Sequence, residues 1–360
     1  MDCFYSAQID ERLSARWHEY IDRASWAHYM ADDRWAETER CGSGLTARRP
    51  FFFWAEEGGE ICLTAVGVRQ QLPIPGRAFW EFKKGPTFID RDLFGPWLDW
   101  LVPALGRDAA RLRVGPPVPL DDGGDDIETV LERHGFVRRR TMGTWGTLCV
   151  DLTREEDDIF ASFRRQTRQG IKKCAASAIA VAPEDNHEGW STLCDLQTAM
   201  CARAPVPSIC EETVARISKH WFDGGAGDTL LVARDTGGPR AAALVVVYRT
   251  TANLRMLPSA ARQNGSNGAP ASHLLVWEAM RWARAAGCTM FDLEGFSLVA
   301  QPGDPLWGVN QFKRGFVPAE EPLRTVAIHE RVSWSLIDTS ARACRRVQSS
   351  LLRSRAEAAT

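Results

Sequence analysis

The two halves of the chain share one order of elements, and this order constrains the fold more than any other feature. In the first half, a helical pattern at residues 125–134 is stopped by Gly135. In the second half, a helical pattern from Ser272 to Ala286 is stopped by Gly287, and a strand-like run from Thr289 to Leu293 follows. Glycine supplies the left-handed conformation that commonly ends a helix. The repeated order predicts a duplicated α/β fold.

Length and composition agree with two folded domains. The chain has 360 residues, which suggests roughly two domains at about 150 residues each. Hydrophobic residues are 44% and charged residues 25%, as in ordinary globular proteins, which excludes wholesale disorder. The formal net charge is −2, so a polyanionic partner would have to bind a local basic patch.

We therefore expect an α/β (α+β) protein with two domains in tandem, each a mixed sheet flanked by helices. The expected boundaries are 1–152, 153–325 and a strand or helical tail at 326–360. The second domain is expected to open with a long basic helix. Thr153 and Glu156 form a capping-box pattern there, and basic residues then recur every four positions along one face, at Arg164, Arg168 and Lys172.

Several classes of protein are disfavoured. The N-terminus has no signal-peptide pattern, and the longest apolar run, Ala241–Tyr248, is far too short to span a bilayer. Ten cysteines are scattered without a CxxC or Cys/His cluster. We expect reduced thiols, a cytoplasmic protein, no metal site and no membrane span.

One glycine-containing loop could bind an anion. Residues 262–269, which include Arg262 and Gly265, lie between a strand and the start of a helix. Backbone N–H groups and the helix dipole at such a place favour phosphate groups. The loop approximates the pyrophosphate loop of GNAT acyltransferases, although Asn267 stands where that pattern has glycine or alanine. A flexible surface loop remains the alternative.

The segment from Trp307 to Phe316 is the sharpest local feature. Lys313 is flanked by the aromatic residues Phe312 and Phe316, and Gly315 follows two positions later. This setting favours a lysine held in place. The alternative is a surface lysine whose stem covers an apolar patch.

Several segments, taken in order, resemble the Fem family of aminoacyl-tRNA-dependent peptidyltransferases. The last of them is the most specific, and the resemblance spans most of residues 15–320. The segments are Trp35, Gly85-Pro86, Arg168-Gln169-Gly170-Ile171-Lys172-Lys173-Cys174-Ala175, Leu274-Leu275-Val276-Trp277-Glu278, Phe291-Asp292-Leu293-Glu294-Gly295 and Gly308-Val309-Asn310-Gln311-Phe312-Lys313-Arg314-Gly315-Phe316.

The resemblance implies two GNAT-like domains that transfer an amino acid from aminoacyl-tRNA to a small primary amine. Aminoacyl-tRNA would be a co-substrate, and no other cofactor is implied. Lys313 would be catalytic, stabilising the oxyanion or the tRNA 3′ end. The residues implied to bind substrate are Phe312, Arg168, Trp35, Asp292 and Glu294. Those implied to bind tRNA or another anion are Arg164, Arg165, Lys172, Lys173, Arg262 and Gly265.

Two departures from the family pattern bear on the acceptor. Members that modify nucleotide-linked peptidoglycan precursors carry a lysine shortly after the early tryptophan, whereas here Arg40 is the first basic residue after Trp35. They also carry Asp-Pro where this chain has Gly115-Pro116. These differences favour a smaller acceptor, such as a peptide or nucleoside antibiotic intermediate, over a UDP-linked muropeptide.

Three alternatives stay open at this stage. The chain could be a GNAT-like N-acyltransferase that uses acyl-CoA, an enzyme of peptidoglycan bridge synthesis, or a non-catalytic binding module. The basic stretches could also be ordinary solvated helix faces. The sequence leaves the oligomeric state open.

Overall fold

Alternating apolar runs and glycine-rich turns produce the strands, and amphipathic segments produce the helices. The computed structural model describes residues 1–44, 47–138, 144–203, 211–222, 228–261 and 271–332. The strands are β1 (Asp2–Ser6), β2 (Arg48–Glu57), β3 (Glu60–Gln71), β4 (Ala78–Phe82), β5 (Thr87–Phe88), β6 (Ala109–Val114), β7 (Val137–Arg138), β8 (Thr144–Thr147), β9 (Cys149–Asp151), β10 (Ala180–Pro183), β11 (Thr229–Asp235), β12 (Gly238–Tyr248), β13 (Thr251–Met256), β14 (Met290–Asp292), β15 (Phe296–Ser297), β16 (Arg324–Ala327) and β17 (His329–Val332).

The helices of the same ranges are mostly short. They are α1 (Glu11–Arg23), α2 (Asp33–Ala36), α3 (Phe94–Leu105), α4 (Gly124–Arg133), α5 (Glu156–Ser162), α6 (Arg165–Ala175), α7 (His187–Arg203), α8 (Glu211–His220), α9 (Ala271–Ala285) and α10 (Pro305–Arg314). Across those ranges, every helix is too short or too polar to cross a bilayer.

The chain divides into two units. The first comprises residues 1–143 and 326–360, and the second comprises Thr144–Thr325. The second unit thus begins nine residues before the expected boundary at Thr153. Strand β17 belongs to the first unit, because it pairs with both β6 and β7.

The first unit is built on a sheet with the strand order β1-β2-β3-β4-β6-β17-β7, with β5 paired to β3. Only β4 and β6 run parallel among its paired strands. The β2–β3 hairpin turns at Gly58 and Gly59, both with positive φ, a conformation that glycine adopts without strain. Aromatic side chains from the strands and from α3 form the core, including Phe53, Phe82 and Trp97.

The second unit is built on a sheet with the order β10-β11-β12-β13-β14-β9. Strand β12 is buried through Ala241–Val246, as expected for the longest apolar run. The amphipathic pattern of α9 places Leu275, Val276 and Met280 in the core with the strands. A smaller sheet has the order β15-β8-β16. The eight cysteines in the described ranges are free thiols.

The prediction of one long basic helix after Thr153 is wrong. Two helices, α5 and α6, occupy this stretch, and Phe163 and Arg164 between them have extended backbones. The predicted cap is also wrong, because Glu155 precedes α5 while Thr153 donates to Asp151 Oδ1 in a turn. Phe163 is buried against Trp277, so tertiary packing outweighs the local helical pattern.

Other differences are smaller. The sequence pattern of residues 13–30 is helix-like, but the helix ends at Arg23. The pattern from Trp145 to Leu152 is that of one strand, but the structure has two strands there, because β8 pairs with β15 while β9 pairs with β14. The glycine stops are confirmed, since α4 ends one residue before His134 and both Gly135 and Gly287 have positive φ.

Candidate active site

Lys313 lies in the last turn of α10, in the second unit. Its Nζ donates to the backbone carbonyls of Glu294 and Gly295, the latter at 2.9 Å. Among the described residues, no carboxylate comes within ion-pair distance of this ammonium group. Burial lowers the pKa of Lys313 to about 8, although the negative charges of Glu294 and Asp292 oppose the shift. The site therefore holds a desolvated cation with carbonyl partners.

The carbonyls that bind Lys313 belong to an unusual turn. Glu294 has φ +45° and Gly295 has φ +46°, both in the left-handed region. A non-glycine residue there costs free energy and persists only when its surroundings fix it. The Asp292 side chain provides one such constraint, since its Oδ1 accepts the Glu294 N–H at 2.6 Å. The same oxygen accepts the hydroxyl of Thr147.

Asn310 holds the other end of the turn. Its side chain is buried, donates to the Ser297 carbonyl at 2.6 Å and accepts the Ser297 N–H at 3.0 Å. Asn310 and Lys313 are three positions apart on α10, so they lie on the same face of the helix. One helix thus binds the backbone of residues 294–297 at two points. The sequence analysis missed Asn310 and Thr147, although Asn310 lies inside the motif around Lys313.

The turn follows the carboxyl end of a parallel strand pair. Strands β13 and β14 pair only over three residues, from Thr251 to Asn253 on β13. Strand β13 continues to Met256, whereas β14 ends at Asp292. In α/β proteins, ligands bind beyond the carboxyl ends of parallel strands. The position of Lys313 is therefore suited to contact a bound substrate.

The residues around Lys313 on α10 serve packing. The ring of Phe312 lies 4.9 Å from that of His273 and 5.1 Å from that of Phe316, within an aromatic cluster. Gly315 allows α6 to approach, because a Cβ at this position would collide with the Thr167 side chain and lie 2.9 Å from the Phe312 carbonyl. The Phe312 side chain thus lies among aromatic rings of the unit, and the motif holds α10 against α6.

The predicted basic residues divide into two kinds. The Arg168 guanidinium donates to the carbonyls of Ala161 and Phe163 and so satisfies the end of α5. The other four side chains are exposed, and we call them the basic face: Arg164, Arg165, Lys172 and Lys173. The Arg164 end of this face adjoins α10, because the Arg164 N–H donates to the Gly315 carbonyl at 2.9 Å and its guanidinium donates to Gln311 Oε1.

The remaining predicted residues lie elsewhere. Trp35 belongs to the first unit, where it is buried, packs edge-on against Tyr29 at 4.5 Å and donates to Glu39 Oε1 at 3.4 Å. Arg262 and Gly265 lie outside the described residues. The structure therefore brings together Lys313, Phe312, Asp292, Glu294, Arg168 and the basic face.

Among the described residues of the first unit, two groups have the donor atoms of a metal site, and the ligands of the first group are already engaged. In the first, Asp32 binds Arg34 through both oxygens, and hydrogen bonds to Asp32 and Asp33 raise the pKa of His18 to about 10. A protonated imidazole cannot ligate a metal. In the second, which comprises Glu128, Glu132 and His329, the Arg138 guanidinium lies 3.4 Å from Glu128.

Comparison with known proteins identifies the fold. No protein-family model and no curated protein matches the sequence. The structure is similar to that of FemX, with a TM-score of 0.70 at 13% identity, over 92% of this chain and 97% of that one. It is also similar to the C-terminal domain of a putative lysylphosphatidylglycerol synthetase from Agrobacterium fabrum, with a TM-score of 0.53 at 14% identity, over 93% and 95% of the two chains.

A third similar structure is a tandem GNAT protein from the clavulanic acid biosynthesis pathway. Its TM-score is 0.54 at 13% identity, over 91% of this chain and 98% of that chain. All three similarities extend over nearly the whole length of both proteins. The chain has the Fem-type tandem GNAT-like fold, with two GNAT-like domains, as the sequence motifs predict.

Proposed function

We propose that this protein is an acyltransferase that moves an amino acid from aminoacyl-tRNA to a primary amine, forming an amide bond. The observation that carries the proposal is the ammonium of Lys313, which is desolvated, bound to two backbone carbonyls and unpaired with any carboxylate of the described residues. The full-length similarity of fold to FemX supports the same reaction class.

The chemistry requires little beyond such a cation. The donor is an activated ester, so no ATP is needed. The acceptor amine attacks the ester carbonyl carbon, negative charge develops on the carbonyl oxygen, and the bond to the tRNA ribose oxygen then breaks. The amine loses a proton and the ribose oxygen gains one. Lys313 stabilises the oxyanion, and substrate groups relay the proton.

The basic face supports the use of tRNA. Arg164, at one end of this face, contacts α10, which carries Lys313, and the other three exposed side chains lie along α6. We expect these side chains to contact tRNA phosphates. Phosphate contacts supply most of the affinity in sequence-independent nucleic-acid binding. Charged tRNA is made in the cytoplasm, which is where we expect the protein to act.

The acceptor is proposed to be a small amine, such as a peptide or nucleoside antibiotic intermediate. Gly115 stands where muropeptide-modifying members of the Fem family carry an acidic residue, and no lysine closely follows Trp35. One structural neighbour belongs to the clavulanic acid biosynthesis pathway, so the fold also occurs in the synthesis of a natural product. Synthesis of a peptidoglycan bridge is the alternative acceptor chemistry.

The second candidate is N-acyl transfer from acyl-CoA. The tandem GNAT neighbour, whose name refers to acetyl-CoA, favours this donor, as does the glycine-containing loop at residues 262–269. An oxyanion at Lys313 would form in either reaction, so only the donor distinguishes the two proposals.

The test is a donor assay with a matched control variant. Pooled tRNA charged with radiolabelled amino acids is incubated with candidate amines, and the amine-dependent loss of aminoacyl ester is measured beside acetyl-CoA consumption. We expect ester loss that is abolished in Lys313→Ala and retained in Lys219→Ala, which removes an exposed lysine of the same unit. Acetyl-CoA consumption alone would favour the second candidate. Transfer of neither group would contradict an enzymatic function and favour a binding module.

A further inference from the structure

The Asp292 carboxylate is engaged by the protein itself. Its Oδ1 accepts two hydrogen bonds, one from the Thr147 hydroxyl and one from the Glu294 N–H. The bond to the residue two positions ahead is that of an Asx turn. An oxygen that already accepts two donors is poorly suited to bind a substrate group as well. The contacts that the structure shows for Asp292 therefore point to the turn that its Oδ1 closes.

This turn determines where two carbonyl oxygens point. The left-handed φ of Glu294 places its carbonyl and that of Gly295 on the Lys313 ammonium. Left-handed backbone at a glutamate is unfavourable without support. The hydrogen bond from the Glu294 N–H to Asp292 supports it on one side, and the Asn310–Ser297 pair fixes the chain on the other.

We propose that Asp292 is a positioning residue, which acts on the reaction by holding the Glu294–Gly295 turn in the shape that fixes the Lys313 ammonium. The inference rests on the proposed function of Lys313. It also changes the role that the sequence motif implies for Asp292, from binding substrate to orienting the residue that does.

A positioning role predicts a specific kinetic signature. Lys313 acts on charge that develops in the transition state, so a displaced ammonium lowers kcat, whereas ground-state binding of the donor changes little. We expect Asp292→Ala to lower kcat by roughly 10-fold or more with KM within about 3-fold, which is less than full removal of an oxyanion donor. Asp292→Asn keeps an acceptor oxygen for both donors and should retain most of the activity.

The matched control is Asp235→Ala. Asp235 also accepts the N–H of the residue two positions ahead, Gly237, at 2.8 Å, but in the turn between β11 and β12. We expect kcat close to that of the unmodified protein. If Asp235→Ala lowers kcat as much as Asp292→Ala does, the positioning role is overturned in favour of a general effect of losing such turns.

A second measurement does not depend on activity. Trace acetylation with acetic anhydride at a series of pH values, followed by mass spectrometry of the Lys313 peptide, reports the titration of that lysine. In the unmodified protein we expect the midpoint at about pH 8. Asp292→Ala and Asp292→Asn both remove a negative charge that raises the pKa of Lys313, but only Asp292→Ala also releases the ammonium towards solvent. The midpoint in Asp292→Ala should therefore lie above that in Asp292→Asn, towards the ordinary lysine value. In Asp235→Ala it should stay unchanged.

The outcomes separate failure of the inference from failure of the proposed function. A lower melting temperature in Asp292→Ala with a Lys313 midpoint no higher than that in Asp292→Asn would overturn the positioning role, whatever the reaction. A midpoint that is higher in Asp292→Ala than in Asp292→Asn, in a protein that transfers nothing, would support the positioning role while refuting the proposed function. A kcat loss in Asp292→Ala that Asp292→Asn fails to avoid would contradict a role as a hydrogen-bond acceptor.

Discussion

Two lysines lie beyond the parallel strand pairs of the two units, and their partners differ. Lys83 directly follows β4, and its Nζ lies 3.1 Å from both carboxylate oxygens of Glu39, which also binds Arg48 at 2.9 Å. Lys313 instead contacts two backbone carbonyls. A lysine whose charge is already neutralised contributes to structure. A lysine that forms no ion pair within the described residues can stabilise negative charge that arrives with a substrate.

The strand pairs differ in the same sense. In the first unit, β4 pairs with β6 from Ala78 to Phe82, and the Gly115 N–H donates to the Gly85 carbonyl beyond the strands at 3.3 Å. In the second unit, β13 and β14 pair over three residues before β14 ends. In the first unit, the residues beyond the parallel strands are thus bonded to one another by hydrogen bonds and ion pairs. In the second unit, the shorter strand β14 leads into the turn that binds Lys313. Duplication of a fold therefore need not duplicate its site.

Removal of the Lys313 ammonium should produce the largest effect. We expect Lys313→Ala to lower kcat by roughly 100- to 1000-fold, which is typical of losing one oxyanion donor. The melting temperature should change little, because the cost of desolvating the ammonium offsets its two hydrogen bonds to the Glu294 and Gly295 carbonyls. Steady-state kinetics and calorimetry check the two parts. A kcat that stays within 3-fold of the original would contradict the contrast between the two lysines.

The fall of kcat at alkaline pH should depend on the Lys313 ammonium as well. The pKa of Lys313 is lowered to about 8 by burial, so the ammonium loses its proton as the pH rises through 8. We expect kcat to fall about tenfold per pH unit above that value, while deprotonation of the acceptor amine raises the rate at lower pH. Lys313→Arg, which stays charged, should lose the alkaline limb. An identical limb in both proteins would contradict this assignment.

Much of the fold could be predicted because its signals are local. Helices α4 and α9 end close to Gly135 and Gly287, which are the positions at which the sequence pattern predicts their ends. The break at Phe163 could not be predicted, since its cause is packing against Trp277, more than a hundred residues away. The capping pattern and the apolar spacing are both typical of one continuous helix, so the local sequence predicts a helix through Phe163.

The residues of the candidate site also divide into those that a local motif predicts and those that depend on contacts with other segments. Lys313 could be found because a short motif carries it. Thr147 and Asn310 could not, because their bonds to Asp292 and Ser297 span 145 and 13 residues. The family resemblance implies that Arg168 binds substrate, and this role stays a prediction, while the structure shows its guanidinium bonded to the Ala161 carbonyl.

Lys83→Ala tests whether the lysine of the first unit has a structural role. The change leaves the buried Glu39 with Arg48 and the Trp35 indole as its partners. We expect a loss of about 1–3 kcal/mol in the free energy of unfolding, because a buried charge loses a hydrogen-bonded partner. The value of kcat measured on folded protein should stay within about 3-fold of the original. Denaturant titration gives the free energy, and a kcat loss comparable to that of Lys313→Ala would show that the first unit also holds reacting groups.

Single changes on the basic face should have the smallest effects. Each exposed lysine would contact one phosphate, so Lys173→Gln should weaken binding of aminoacyl-tRNA by a few-fold and reduce the slope of log affinity against log salt by about 1. The value of kcat at saturating donor should not change, because the contact is the same in the ground state and the transition state. Lys219→Gln, on α8 of the same unit, is the matched control and should leave the slope unchanged. If the salt slopes of Lys173→Gln and Lys219→Gln are equal, the tRNA does not contact the basic face. Another surface would then have to bind the tRNA and bring its ester to Lys313.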